Sequence, residues 1–140
     1  MIVRLLALLS LVCLAACATK PTTVEKKAGF VLRPDTQVIY IVPFRTVMVP
    51  APVADPLFDT FVDELNLRGE QSSENSYSFV ILKKNWSDID GEQLARHNYL
   101  TGELYGFLED SGCCSTTIQI QARLQLFQPG NEDSTLTIHD

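Results

Sequence analysis

Between Thr117 and Phe127 the chain alternates without a break. Ile118, Ile120, Ala122, Leu124 and Leu126 fall on one side; Thr117, Gln119, Gln121, Arg123 and Gln125 fall on the other. A period of two places successive side chains on opposite faces of a strand, so this segment predicts a strand with one face in a core and one in water. A one-residue slip would put the whole apolar set into solvent, which pins the register of whatever pairs with it. One-sided burial is typical of antiparallel sheet. Turn signals stand on both sides, Glu109–Ser115 with Gly112 before it and Pro129-Gly130-Asn131 after it. They place partner strands at Asn98–Glu109 and Leu136–Ile138. In Asn98–Glu109, Leu100, Leu104 and Leu108 share a face with Gly102 and Gly106, and Tyr99, Thr101, Glu103, Tyr105 and Phe107 share the other. Glycine inside a strand marks a bulge or a close approach, here making room for a helix on that face.

Upstream the pattern changes. Gln37–Phe44 (QVIYIVPF) is a short β-branched and aromatic run, the signature of a buried strand that Pro43 ends, because proline has no N–H for the ladder. Arg45–Ala54, with Pro50 and Pro52, reads as an extended loop. Asp55–Gly69 reads as an amphipathic helix: Asp55 as N-cap, Pro56 in the first turn, Leu57, Phe58, Phe61, Val62 and Leu65 on one face, Gly69 as the stop. Tyr77–Leu82 is a second strand, Asn85–Asp90 a turn, and Gly91–His97 a short helix capped at Ser87 or Asp88. The fold class that follows is α/β, a mixed sheet in the order β-α-β-α-β-β-β. Its first strands are parallel, its later hairpins antiparallel, and both helices pack on one face with the polar face open.

The N-terminus adds a location. Arg4 precedes an apolar run, Leu5–Leu14, that ends in Leu14-Ala15-Ala16-Cys17. Ten residues are too few to span ~30 Å of hydrocarbon as a helix, so the run reads as the hydrophobic part of a signal peptide. Leu-Ala-Ala-Cys resembles the lipobox of bacterial lipoproteins. The resemblance implies a signal peptide over 1–16, cleavage between Ala16 and Cys17, and acylation of Cys17 that anchors the chain to a lipid bilayer. An ordinary secretory signal or a membrane anchor are the other readings. Ala18 after the cysteine, rather than aspartate, points to the outer membrane, with the domain facing the periplasm. Residues 17–28 are polar and aperiodic and read as a flexible tether, leaving 29–140 as a single periplasmic domain. Without Arg4 the mature chain holds 10 Lys+Arg against 17 Asp+Glu, a net −7. That balance repels nucleic acid and anionic headgroups, so neither is an expected partner.

Four further stretches carry a family resemblance: Val38-Ile39-Tyr40-Ile41-Val42-Pro43-Phe44, then the helix Phe58–Leu65 and the strand Phe79–Leu82, and then Leu94–Leu104 with Thr101-Gly102. Together they resemble the domain of the curli-secretion-channel lipoprotein (CsgG), the N-terminal domain of TolB, FlgO and lipoprotein activators of penicillin-binding proteins. The likeness covers roughly Gln37–Ile138. It implies a non-enzymatic accessory or docking module in envelope assembly or secretion, working on a periplasmic or outer-membrane protein. Asn98, where the family usually has an acidic residue, and the end at Asp140 depart from the pattern.

Candidate chemistry is sparse. No phosphate loop, nucleophile elbow or His-Glu-x-x-His pattern occurs, and two histidines give no metal-ligand spacing, so neither catalysis, a cofactor nor a metal is expected. With Cys13 removed and Cys17 acylated, Cys113 and Cys114 have only each other, as unpaired thiols, a vicinal disulfide or bridges between chains. The polar strand face bearing Tyr99, Tyr105, Gln119, Gln121 and Arg123 is the candidate binding surface, or plain water-facing sheet. Self-association through sheet edges, as a structural or channel-associated subunit, is the alternative function, and a small-ligand carrier a third.

Overall fold

The computed structural model describes residues 22–32, 38–71 and 77–140; the signal peptide expected over 1–16 and Cys17 lie outside them. The described chain contains strands β1 (Thr23–Lys26), β2 (Val38–Ile41), β3 (Arg45–Thr46), β4 (Ser78–Ile81), β5 (Asn98–Ser111), β6 (Thr116–Phe127) and β7 (Leu136–His139). Two α-helices, α1 (Ala51–Gln71) and α2 (Gly91–Leu94), and a 3-10 turn at Trp86–Asp88 complete it. All strands join one mixed sheet in the order β1-β7-β6-β5-β2-β4, with β3 also on β5. β2 is parallel to β4 and to β5, whereas β5, β6, β7 and β1 pair antiparallel. The α/β class and the mixed sheet are as expected.

α1 lies on the face that carries Ile39, Ile41 and Leu126, all buried, against which Phe58, Phe61 and Leu65 pack. A second cluster joins Val49, Ala54 and Leu104 with Phe44, Phe107 and Ile120. The stripe that α1 buries is therefore Ala54, Phe58, Phe61 and Leu65, at helical spacing, while Leu57 is 39% exposed. Phe44 sits between Phe58 and Phe61, both rings 5.1 Å away. It also rests on Gly102, where any Cβ would lie 2.4 Å from the ring. Gly102 thus makes room for an aromatic side chain.

Several elements differ from expectation, each for a local reason. Thr23–Lys26, expected as tether, pairs along β7 as an edge strand; its four residues are exposed, so backbone pairing does most to hold it and no periodicity betrays it. Arg45–Thr46, expected as loop, is a two-residue strand on β5. The helix begins at Ala51, not after Asp55: the N–H groups of Val53 and Ala54 both bond the Pro50 carbonyl. Pro52 falls in the first turn, where a missing N–H costs nothing, and only Pro56 is interior. α2 is capped by Asp90, whose carboxylate accepts from the N–H groups of Glu92 and Gln93, rather than by Ser87 or Asp88.

α2 also corrects the expectation that both helices share a face. Tyr40 points away from Ile39 and Ile41, and the His97 ring just after α2 lies 4.9 Å from it. Leu94 helps line a cleft with Tyr99, Thr101 and Glu103, on the face opposite α1.

Alternation in β5 is broken once. Tyr105 faces Gln121 and Leu108 faces Gln119, so Gly106 and Phe107 together oppose one residue. This is a bulge with Gly106 at φ 64°, a left-handed conformation open to glycine. Past it the faces exchange: Phe107 packs with Leu104 and Ile120, and Leu108, 57% exposed, turns to the polar side. A second irregularity lies on the other flank of β5. From Ile41 to Arg45 the chain takes four steps while its partner takes three, Leu100 to Glu103. Phe44 consequently faces α1 and Arg45 the opposite face.

Candidate functional site

The face opposite α1 carries a row of ionisable residues in direct cross-strand register. Arg45 on β3 lies opposite Glu103 on β5, Glu103 opposite Arg123 on β6, and Arg123 opposite His139 on β7. The β2–β3 irregularity is what turns Arg45 into this row. It also frees the Pro43 carbonyl from the ladder, and the Trp86 indole N–H donates to that oxygen at 2.8 Å. Trp86 so held presents its ring to Arg45, whose guanidinium carbon is 4.2 Å from the ring centroid.

Arg123 has partial partners. Its Nη1 is 3.4 Å from Glu103 Oε2, and its guanidinium carbon stands 5.5 Å from the Tyr105 ring. Its Nε is buried and has no acceptor within the described protein. Beside it Tyr99 and Phe127, opposite one another in register, stack with centroids 4.7 Å apart and an interplanar angle of 3°. Burial lifts the Tyr99 hydroxyl pKa above its ordinary 10.0, because the phenolate is the form that loses by leaving water. Between this surface and the Trp86–Leu94 segment lies an open cleft of about 420 Å³, with Thr101 and Gln125 on its floor. Binding sites for small molecules commonly fall in the range of about 300–1,000 Å³.

Of the five residues expected on the binding face, Tyr99 and Arg123 line the cleft and Tyr105 supports Arg123. Gln121 is packed beside Gly106, its Oε1 2.8 Å from where a Cβ would stand. Gln119 lies beyond the bulge, exposed, opposite Leu108. Arg45, Trp86 and Phe127 are additions to the expected set. Phe127 continues the parity of Gln125 and is legible from it; Arg45 and Trp86 sit in short irregular segments whose facing no period reveals.

Beyond the bulge, β5 and β6 pair only with each other and form a projecting arm. At its tip the N–H of Gly112 donates to the Ser115 carbonyl at 2.8 Å. Cys113 and Cys114 are both exposed, side by side at this tip, with their sulfurs 3.5 Å apart. Among the described residues no three His, Cys, Asp or Glu side chains are grouped to hold a metal ion. No helix among them is long and apolar enough to cross a membrane.

No protein-family model matches the chain, and no curated protein matches it in sequence. Solved structures do resemble it. The PelC dodecamer from Paraburkholderia phytofirmans superposes with a TM-score of 0.54 at 15% identity, covering 85% of this chain and 79% of that one. A point-substituted form of the same dodecamer gives 0.54 at 13% identity, over 85% and 77%. A weaker likeness, at TM-score 0.38 and 13% identity over 72% and 67%, is to the hypothetical protein CT253 from Chlamydia trachomatis. The PelC likeness identifies a shared fold and nothing finer.

Proposed function

We propose that this chain is a homo-oligomeric subunit of the bacterial envelope, held to a membrane through acyl chains on Cys17 and acting by placement. The observation that carries the reading is the fold shared over 85% of the chain with a protein solved as a dodecamer. Physical features of the surface agree with it. β1 and β4 are the two edges of the sheet, each with one side unpaired among the described residues, and such edges are templates for another strand. An open, largely apolar groove of about 700 Å³ runs between α1 and the outer half of β6, bordered by Leu57 and Ile118, both exposed. Exposed apolar surface of this kind is characteristic of interaction sites. The Leu-Ala-Ala-Cys leader and the resemblance to the curli-secretion-channel type supply the envelope setting.

Sedimentation velocity of the purified mature chain across a wide concentration range tests this. A discrete species several times the mass of one chain is expected; a single-chain species at every concentration would sink it. A second reading, docking of a different envelope protein without self-assembly, is favoured by the Arg45–Trp86–Arg123 cleft. It would be the better description if crosslinking in native envelopes returned one specific partner and no copies of the chain itself.

A further inference from the structure

We propose that the cleft between Trp86 and the Arg45–Glu103–Arg123 row binds a carboxylate-bearing saccharide. Charge is the first ground. The whole chain is acidic, at −6, yet this cleft collects two guanidiniums and one carboxylate on its walls. Glu103 stands between the two arginines in register and reaches only Arg123, at 3.4 Å. Arg45 has no acidic partner among the described residues and rests on Trp86. One ligand carboxylate seated on this row brings the group to neutrality.

Geometry is the second ground. Arg123 lines the cleft with its side chain 39% exposed and is held on one side only, by Nη1 at 3.4 Å from Glu103 Oε2, so its guanidinium retains donors for a ligand. Guanidinium groups recognise carboxylates through paired, charge-assisted hydrogen bonds. The remaining surface suits a ring that carries hydroxyls. Trp86 and the Tyr99–Phe127 stack offer flat apolar faces, and Thr101 and Gln125 offer neutral donors and acceptors between them. The inference does not depend on self-association.

Trp86 is the only tryptophan in the chain, so its emission reports on this cleft alone. The full chain in detergent micelles is titrated with digalacturonate and, in parallel, with its neutral counterpart galactobiose. Digalacturonate is expected to change Trp86 emission saturably, with an affinity that falls as salt is raised, while galactobiose binds at least about tenfold more weakly, as loss of a charge-assisted hydrogen bond implies. Arg123→Gln and Arg45→Gln should each weaken digalacturonate by about tenfold or more. Glu103→Gln should tighten it, because a competing carboxylate is gone; that sign is opposite to the effect of a merely damaged fold. Equal binding of the two disaccharides, no response to digalacturonate at millimolar concentration, or Glu103→Gln weakening it would each overturn the proposal. So would tighter binding of triglutamate than of digalacturonate, which would assign the cleft to acidic peptide.

Discussion

Single atoms decide much of this structure. At Gly102 a methyl group would enter the Phe44 ring, itself wedged between Phe58 and Phe61. Gly102→Ala is therefore expected to destabilise the chain by about 1–3 kcal/mol, the usual cost of overpacking a filled site, read as a lower urea midpoint at unchanged slope. Gly106→Ala meets a different obstacle, the left-handed backbone at φ 64°, for an expected loss of about 1–2 kcal/mol. Tyr99 has a pH signature. Its folded pKa is raised, so as pH climbs past 10.0 the unfolded chain releases this proton before the folded one does. The stability Tyr99 contributes is present below that pH and is lost above it. Urea midpoints at pH 9 and pH 11 should fall further apart in the parent chain than in Tyr99→Phe. The thiols at the arm tip are exposed, and iodoacetamide followed by peptide mapping should label both Cys113 and Cys114 in the native chain without reductant. Protection of the pair would show that it is bridged or covered.

Elements differ in how they are held, and that governs both their stability and their legibility. β6 is readable from sequence end to end because its alternation is unbroken, although on its apolar side burial is complete only at Leu126 and Ile118 at the outer end is exposed. β2 is readable as a run of β-branched and aromatic residues, and two of its residues are indeed in the core. β1 and β3 are not, because exposed strands of four and two residues are held by backbone hydrogen bonds that any side chain allows. The start of α1 is hidden because a proline reads as a barrier, although in the first turn it removes only a donor that has no partner. The distal arm combines two of these properties. Past Gly106 it is a two-stranded ribbon, and such ribbons are marginal without a third strand or a helix beneath them. Hydrogen exchange should show Asp110–Thr117 opening far faster than Leu100–Leu104, which β2, β3 and β6 enclose. Equal protection along β5 would mean that something else covers the arm.

At the scale of the molecule, sheet and helix divide the work. α1 and its aromatic cluster close one face and supply the core; the other face is left to polar and aromatic side chains, with α2 covering one end of it. The candidate surface is half visible from alternation alone, in Tyr99, Tyr105 and Arg123. The half supplied by Arg45 and Trp86 arises from a chain irregularity and a long-range hydrogen bond to Pro43, which leave no periodic trace. The bulge at Gly106 has a consequence of another kind. It acts as a phase shift: every side chain from Phe107 outward occupies the face that strict alternation would assign to its neighbour. Pairing the arm without a bulge would turn it inside out, presenting Leu108 where Phe107 now stands while the rest of the sheet kept its pairing, whereas deleting Gly106 would leave the present facing unchanged. The bulge thus sets which chemistry the arm shows to each side, independently of the scaffold that carries it.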